Sequence, residues 1–183
     1  MLVSCGRTEP EPSRESSLDP KQLVVRLADL PPRYSLVPGE TIPIPLETVL
    51  ADPWSTGLEA EIRRERLGGF QTSVWDPKHQ RIQCSVAVYR SSTGARQILK
   101  QRRSRFNAFV AARLLGRPTS VGALVEDADA VRFDLGRMKG LAISWQHRNV
   151  IAVCSVLGRT PPPLAVLKAV VSAQQRRLAT MLG

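Results

Sequence analysis

Residues 139–158 read KGLAISWQHRNVIAVCSVLG, the longest stretch free of acidic residues and proline that parses as two apolar strands around a short polar turn. In the first half Leu141, Ile143 and Trp145 alternate with Ala142, Ser144 and Gln146, the period of two that buries one face of a strand. In the second half Val150, Ile151, Val153, Val156 and Leu157 place bulk on both sides, as in a strand covered on both faces. The enrichment in β-branched residues and the break at Gly158 argue against a helix. His147-Arg148-Asn149 supplies the turn, with Asn149 expected to take the positive φ. This pair is the expected central hairpin.

Working outward, the spacing predicts the longest helix over residues 95–115, closed by Gly116 and Pro118. Ala95, Ile98, Leu99, Phe106, Phe109 and Val110 form its apolar side, and Arg96, Lys100 and Arg103 a basic flank. Residues 121–125 read as a loop or short turn and 130–135 as a strand. After the hairpin Thr160 is expected to cap a last helix whose first turn holds Pro161, Pro162 and Pro163. A second hairpin is expected from 68–75 and 81–90, with Ile82, Cys84, Val86 and Val88 on one face. Upstream, Asp52-Pro53 reads as an N-cap followed by proline at the first helical position, opening a helix over 53–67 that ends at Gly68. Three prolines make 34–46 irregular, with an edge strand near 33–37. The fold class that results is α+β: a mainly antiparallel sheet of about five strands with helices packed on it.

The chain has 183 residues, enough for one domain with its own core. Residues 21–183 are assigned to it. The net charge of +10 is unevenly placed: residues 1–76 carry 8 basic and 12 acidic groups, residues 77–183 carry 18 and 4. Such asymmetry attracts phosphates, anionic membranes or acidic polymers. Arginine supplies 21 of the 26 basic residues, which a GC-rich genome would also produce.

At the start, Leu2-Val3-Ser4-Cys5 looks like a bacterial lipobox: an aliphatic residue, a small residue, then the cysteine that carries lipid. GRTEPEPSRESSLDP, residues 6–20, follows as a disordered tether. No charged n-region and apolar h-region precede Cys5, so the start is either truncated or the match accidental. Leu27-Ala28-Asp29-Leu30-Pro31, Gly68-Gly69-Phe70, Tyr89-Arg90-Ser91-Ser92-Thr93-Gly94-Ala95 and Arg148-Asn149-Val150 occur in the same order in small bacterial lipoproteins. Over residues 20–182 the chain resembles that uncharacterised extracytoplasmic group. The resemblance implies a single compact domain held at the outer face of the cell membrane, with Cys5 as the lipidated residue. It supplies no catalytic residue.

The residues of the chain offer little for catalysis. His79 and His147 stand in separate turns without metal-ligand spacing, and no GxSxG, P-loop or GxGxxG occurs. Neither a metal nor another cofactor is expected. Cys84 and Cys154 lie in two expected strands; a bridge between them and a pair of buried thiols both remain open. Arg102 and Arg113 fall near the middle of the apolar stripe of the long helix, either snorkelling to water or, one of them, pairing with Asp127 or Asp129 or pointing into a pocket for an anionic ligand. The leading expectation is a lipid-anchored, non-enzymatic binding or interaction domain. Its partners are the bilayer, through the lipid, and an anionic lipid or cell-wall polymer met by Arg96, Lys100, Arg103 and Arg105. The alternative is a nucleic-acid-binding protein using those four residues with Arg176 and Arg177, although aromatics are only 5% of the chain.

Overall fold

A computed structural model describes residues 18–78, 80–112, 119–125, 128–134 and 136–183. Cys5, His79, Arg113 and Asp127 lie outside them. The fold is α+β, built on one antiparallel sheet. Its long strands are β3 (Arg66–Trp75), β4 (Arg81–Tyr89), β5 (Thr119–Val125), β6 (Ala128–Asp134), β7 (Lys139–His147) and β8 (Val150–Gly158), with two-residue strands β1 (Ser35–Leu36) and β2 (Ile42–Pro43) at one edge. The order is β1-β3-β4-β8-β7-β6-β5, with β2 also on β3. The hairpin of β7 and β8 occupies the middle, and β8 pairs with both β7 and β4. Helices α1 (Pro20–Leu23), α2 (Leu46–Leu50), α3 (Glu59–Glu65), α4 (Ser92–Ala112) and α5 (Leu164–Leu182) cover it.

Side-chain alternation explains why helices pack on both faces. Ile82, Cys84, Val86 and Val88 of β4 and Val150, Ala152, Cys154 and Val156 of β8 face one way, against Leu167, Val170, Val171 and Leu178 of α5. The opposite face offers Tyr89 and Ile151 to Ala95, Ile98 and Leu99 of α4 and to Leu58 and Ile62 beside them. Bulk on both sides of β8 therefore fills two cores. Within the first, Cys84 lies directly opposite Cys154, with Cα atoms 4.3 Å apart and the sulfurs joined as a disulfide. That spacing is close to the narrow, non-hydrogen-bonded pair of an antiparallel ladder.

Several expectations are corrected by the backbone. The helix expected over 53–67 is a 3₁₀ turn, Pro53–Ser55, followed by α3. Gly57 at φ 71° breaks the run, and β3 already begins at Arg66. Asp52 makes no side-chain cap bond; it pairs with Arg102 at 2.7 Å, the partner the sequence had sought at Asp127 or Asp129. Residues 121–125 form a strand rather than a loop. Gly122 and Ala123 have poor β propensity, and β5 owes its conformation to an irregular ladder with β6. The positive φ of the hairpin falls on Arg148 at 54°, not on Asn149. Asn149 is committed instead to β4, where its Nδ2 donates to the Tyr89 carbonyl at 2.7 Å and its carbonyl accepts from the Tyr89 N–H. Thr160 does not cap α5, which starts at Leu164 after Pro163 in extended geometry. A following proline disfavours helical φ/ψ at Thr160, Pro161 and Pro162, so the helix does not open before Pro163, its extended N-cap residue.

Candidate anion-binding groove

Helix α4 starts earlier than its apolar stripe implies because Ser91 caps it. The Ser91 hydroxyl accepts from the Gly94 N–H at 2.9 Å and donates to Glu65 of α3 at 3.0 Å. This fixes the first turn of α4 against the end of α3, and Arg96 and Lys100, one turn apart, are exposed to solvent. Arg103, one turn further, lies along β7: its Nε donates to the Ser144 hydroxyl at 3.1 Å and its guanidinium also donates to the Ser144 carbonyl. Arg103 thereby ties α4 to the sheet.

The ladder between β6 and β7 runs from Asp134 opposite Lys139 to Val131 opposite Ala142, so the end of β7 at Trp145 to His147 extends beyond it. Across that flank, from α4 to the last turns of α5, runs a groove of about 920 Å³. Arg96, Lys100 and Arg103 line one wall, Trp145 and the hairpin turn the middle, and Gln175, Leu178 and Ala179 the other wall. Arg148 adds a further cation from the turn, and its guanidinium donates to the Gly183 carbonyl at 2.5 Å, joining the turn to the end of α5. Among the described lining residues none is acidic. His147 titrates below the ordinary imidazole value, first because it is partly buried and second because Arg148 stands beside it. At neutral pH it adds shape to the groove and little charge.

The structure brings together three of the four basic residues expected on one surface. Arg105 is elsewhere, with its guanidinium against Gly57 on the far side of α4. The helical wheel carries this information: nine residues at about 100° each place Arg105 half a turn from Arg96. Arg177 also serves the fold, donating to the Gln22 carbonyl at 2.8 Å and pairing with Asp29 at 3.2 Å, while Arg176 is exposed outside the groove. Sequence reasoning missed Arg148, because a turn residue has no face until the hairpin is placed against α5.

Two other polar sites have a different character. A smaller cavity of about 440 Å³ lies between the entry segment and β3, and its lining groups include Asp19 as well as Lys21 and Arg26. Under α4, Tyr89, Asp52, Arg102 and Arg66 form a cluster in which burial dominates. It raises the Tyr89 phenol and the Asp52 carboxyl, the latter against the pull of Arg102, and lowers Arg66. The cluster joins the turn before α3, the end of β4 and α4, a structural role. Among the described residues no group of three His, Cys, Asp or Glu converges as metal ligands, and no helix is long and apolar enough to cross a membrane.

No protein-family model matches this sequence, and no curated protein does. Among solved structures the chain is similar to the extracellular domain of PknH from Mycobacterium tuberculosis, with a TM-score of 0.51 and 8% identity over 86% of this chain and 92% of that one. At that identity the likeness is one of fold.

Proposed function

We propose that this chain is an extracytoplasmic domain, anchored through lipid on Cys5, that binds a ligand non-enzymatically at the groove beside α4. The observation that carries the location is the Cys84–Cys154 bridge between two central strands, since disulfides persist in oxidising compartments and are rare in the cytosol. The likeness in fold to a domain that is itself extracellular supports the same reading. So does the lipobox-like start before a polar tether. The groove supports binding over catalysis because its described lining gathers cations without a carboxylate or a nucleophile–base pair.

A nucleic-acid-binding face is less well supported. It needs cations spread along one surface, whereas Arg105 lies on the opposite side of α4 and Arg103 and Arg177 are occupied in tying elements together.

The test uses the full-length gene product in a bacterial host. Acid-quenched cells alkylated without reductant should yield protein with Cys84 and Cys154 both protected, and a fatty-acyl label should be lost in Cys5→Ser together with the membrane fraction. Two freely alkylated thiols contradict the location. Unchanged fractionation of Cys5→Ser removes the anchor.

A further inference from the structure

We infer that the cavity of about 440 Å³ between the entry segment and β3 binds a small acylated monocarboxylate. Its hydrocarbon lies on Leu27 and Leu36, an uncharged carbonyl accepts from the Thr72 hydroxyl, and its carboxylate meets Lys21 and Arg26. This is a second site, and it does not depend on the groove beside α4. Period-two alternation sends Phe70, Thr72 and Val74 of β3 to the same face, so a threonine stands between two residues of the first core. Thr72 is only 4% exposed and lines the cavity, and its hydroxyl has no hydrogen-bond partner among the described residues. A buried hydroxyl without a partner carries a desolvation cost that valine, of the same shape, does not. An oxygen of a ligand in the cavity removes that cost.

The apolar part of the lining is free to receive hydrocarbon. Leu27 and Leu36 are 36% and 46% exposed and belong to neither core. Both are held in place without a ligand: Gln174 and Arg177 tie the entry segment to α5, and β1 pairs with β3 so that Leu36 lies opposite Val74. Lys21 and Arg26 are exposed and form no ion pair among the described residues. Asp19, the acid of the described lining, accepts from the Lys21 N–H at 3.0 Å. Two cations against one carboxylate leave a single positive charge, which a monocarboxylate neutralises. That carboxylate does not belong on Thr72, because one hydroxyl does not repay its desolvation, so the group there is uncharged. The volume, at the low end of the range of about 300–1,000 Å³ for ligand sites, limits the occupant to a small molecule.

The experiment titrates the full chain carrying Cys5→Ser by calorimetry with N-octanoylglycine kept below its micellar concentration. N-acetylglycine supplies the head without the chain, and N-octanoylglycinamide supplies the chain and carbonyl without the charge. The expected result is N-octanoylglycine affinity at least about tenfold above N-acetylglycine, a difference of about 1.4 kcal/mol, and about threefold above the amide. Leu27→Ser/Leu36→Ser, at exposed positions, should weaken it by about tenfold. Thr72→Val should weaken it by about fivefold while leaving the urea midpoint of the free protein equal to or above that of the parent. Met138→Ser, at an exposed apolar residue outside the cavity, should leave it unchanged, and circular dichroism confirms that each variant folds. Equal affinity for N-acetylglycine overturns the apolar contact, and equal affinity for the amide overturns the anionic end. Unchanged binding in Thr72→Val means that water serves the hydroxyl, and overturns the site. Binding lost in Arg96→Gln/Lys100→Gln but kept in the cavity variants overturns the cavity in favour of the groove beside α4. Absence of binding to every probe overturns this ligand class alone, because lipidation of Cys5 and protection of Cys84 and Cys154 are read in separate measurements.

Discussion

Gln174 has no exposed surface, yet it lies in the middle of α5 among apolar neighbours. Its side-chain oxygen accepts from the Val25 N–H at 2.7 Å and its nitrogen donates to the Leu23 carbonyl at 2.8 Å. These backbone groups belong to the last residue of the single-turn α1 and to the extended segment just after it, which enters neither a long helix nor the sheet. Replacing Gln174 by Leu keeps the bulk and strands both groups. The expected loss is about 2–4 kcal/mol of unfolding free energy, the cost of two buried polar groups left unpaired, read from urea denaturation. A loss below about 0.5 kcal/mol means that water reaches the segment and the Gln174 bridge is dispensable.

Between elements, a contact sensitive to a single atom is where β6 pairs with β7. Phe133 of β6 lies directly over Gly140 of β7, in the space that a Cβ would occupy. The same ring meets Phe106 of α4 edge-on at 5.9 Å between centroids, and Phe106 meets Trp54 of the 3₁₀ turn at 5.6 Å. Gly140 therefore gives close approach to an aromatic series that links the sheet to α4 and to the turn before α3. Gly140→Ala displaces the ring and should cost about 1–3 kcal/mol. The cost belongs to the ring, so Phe133→Ala combined with Gly140→Ala should be less damaging than the sum of the two single changes. Strict additivity in a double-mutant cycle contradicts this account.

For the whole molecule the bridge between β4 and β8 closes a sequence separation of 70 residues, with β5, β6, β7 and all of α4 inside it. Its removal enlarges the unfolded ensemble and leaves the native ladder in place, so Cys84→Ala/Cys154→Ala should lose about 2–5 kcal/mol without loss of secondary structure. Dithiothreitol should lower the denaturation midpoint of the parent protein toward that of the variant and leave the variant unmoved. A parent protein insensitive to the reductant at equilibrium contradicts the role given to the bridge.

The sequence by itself determined the α+β class, the two hairpins and the middle position of 139–158. Period-two alternation and bulk on both faces are local properties that survive in any arrangement of the chain. Only the tertiary structure decided what lies between elements. Whether 121–125 is a strand depends on a partner ladder, since Gly122 and Ala123 carry no preference for one. The break at Gly57 is read from its φ of 71°, which a helical wheel over 53–67 passes over. The partner of Arg102 lies 50 residues away at Asp52, across a contact that no spacing encodes. Arg105 could have been set apart from Arg96 on the wheel alone. Arg148 could not join Lys100 until the hairpin turn was packed beside α5, because a groove is a property of three elements at once.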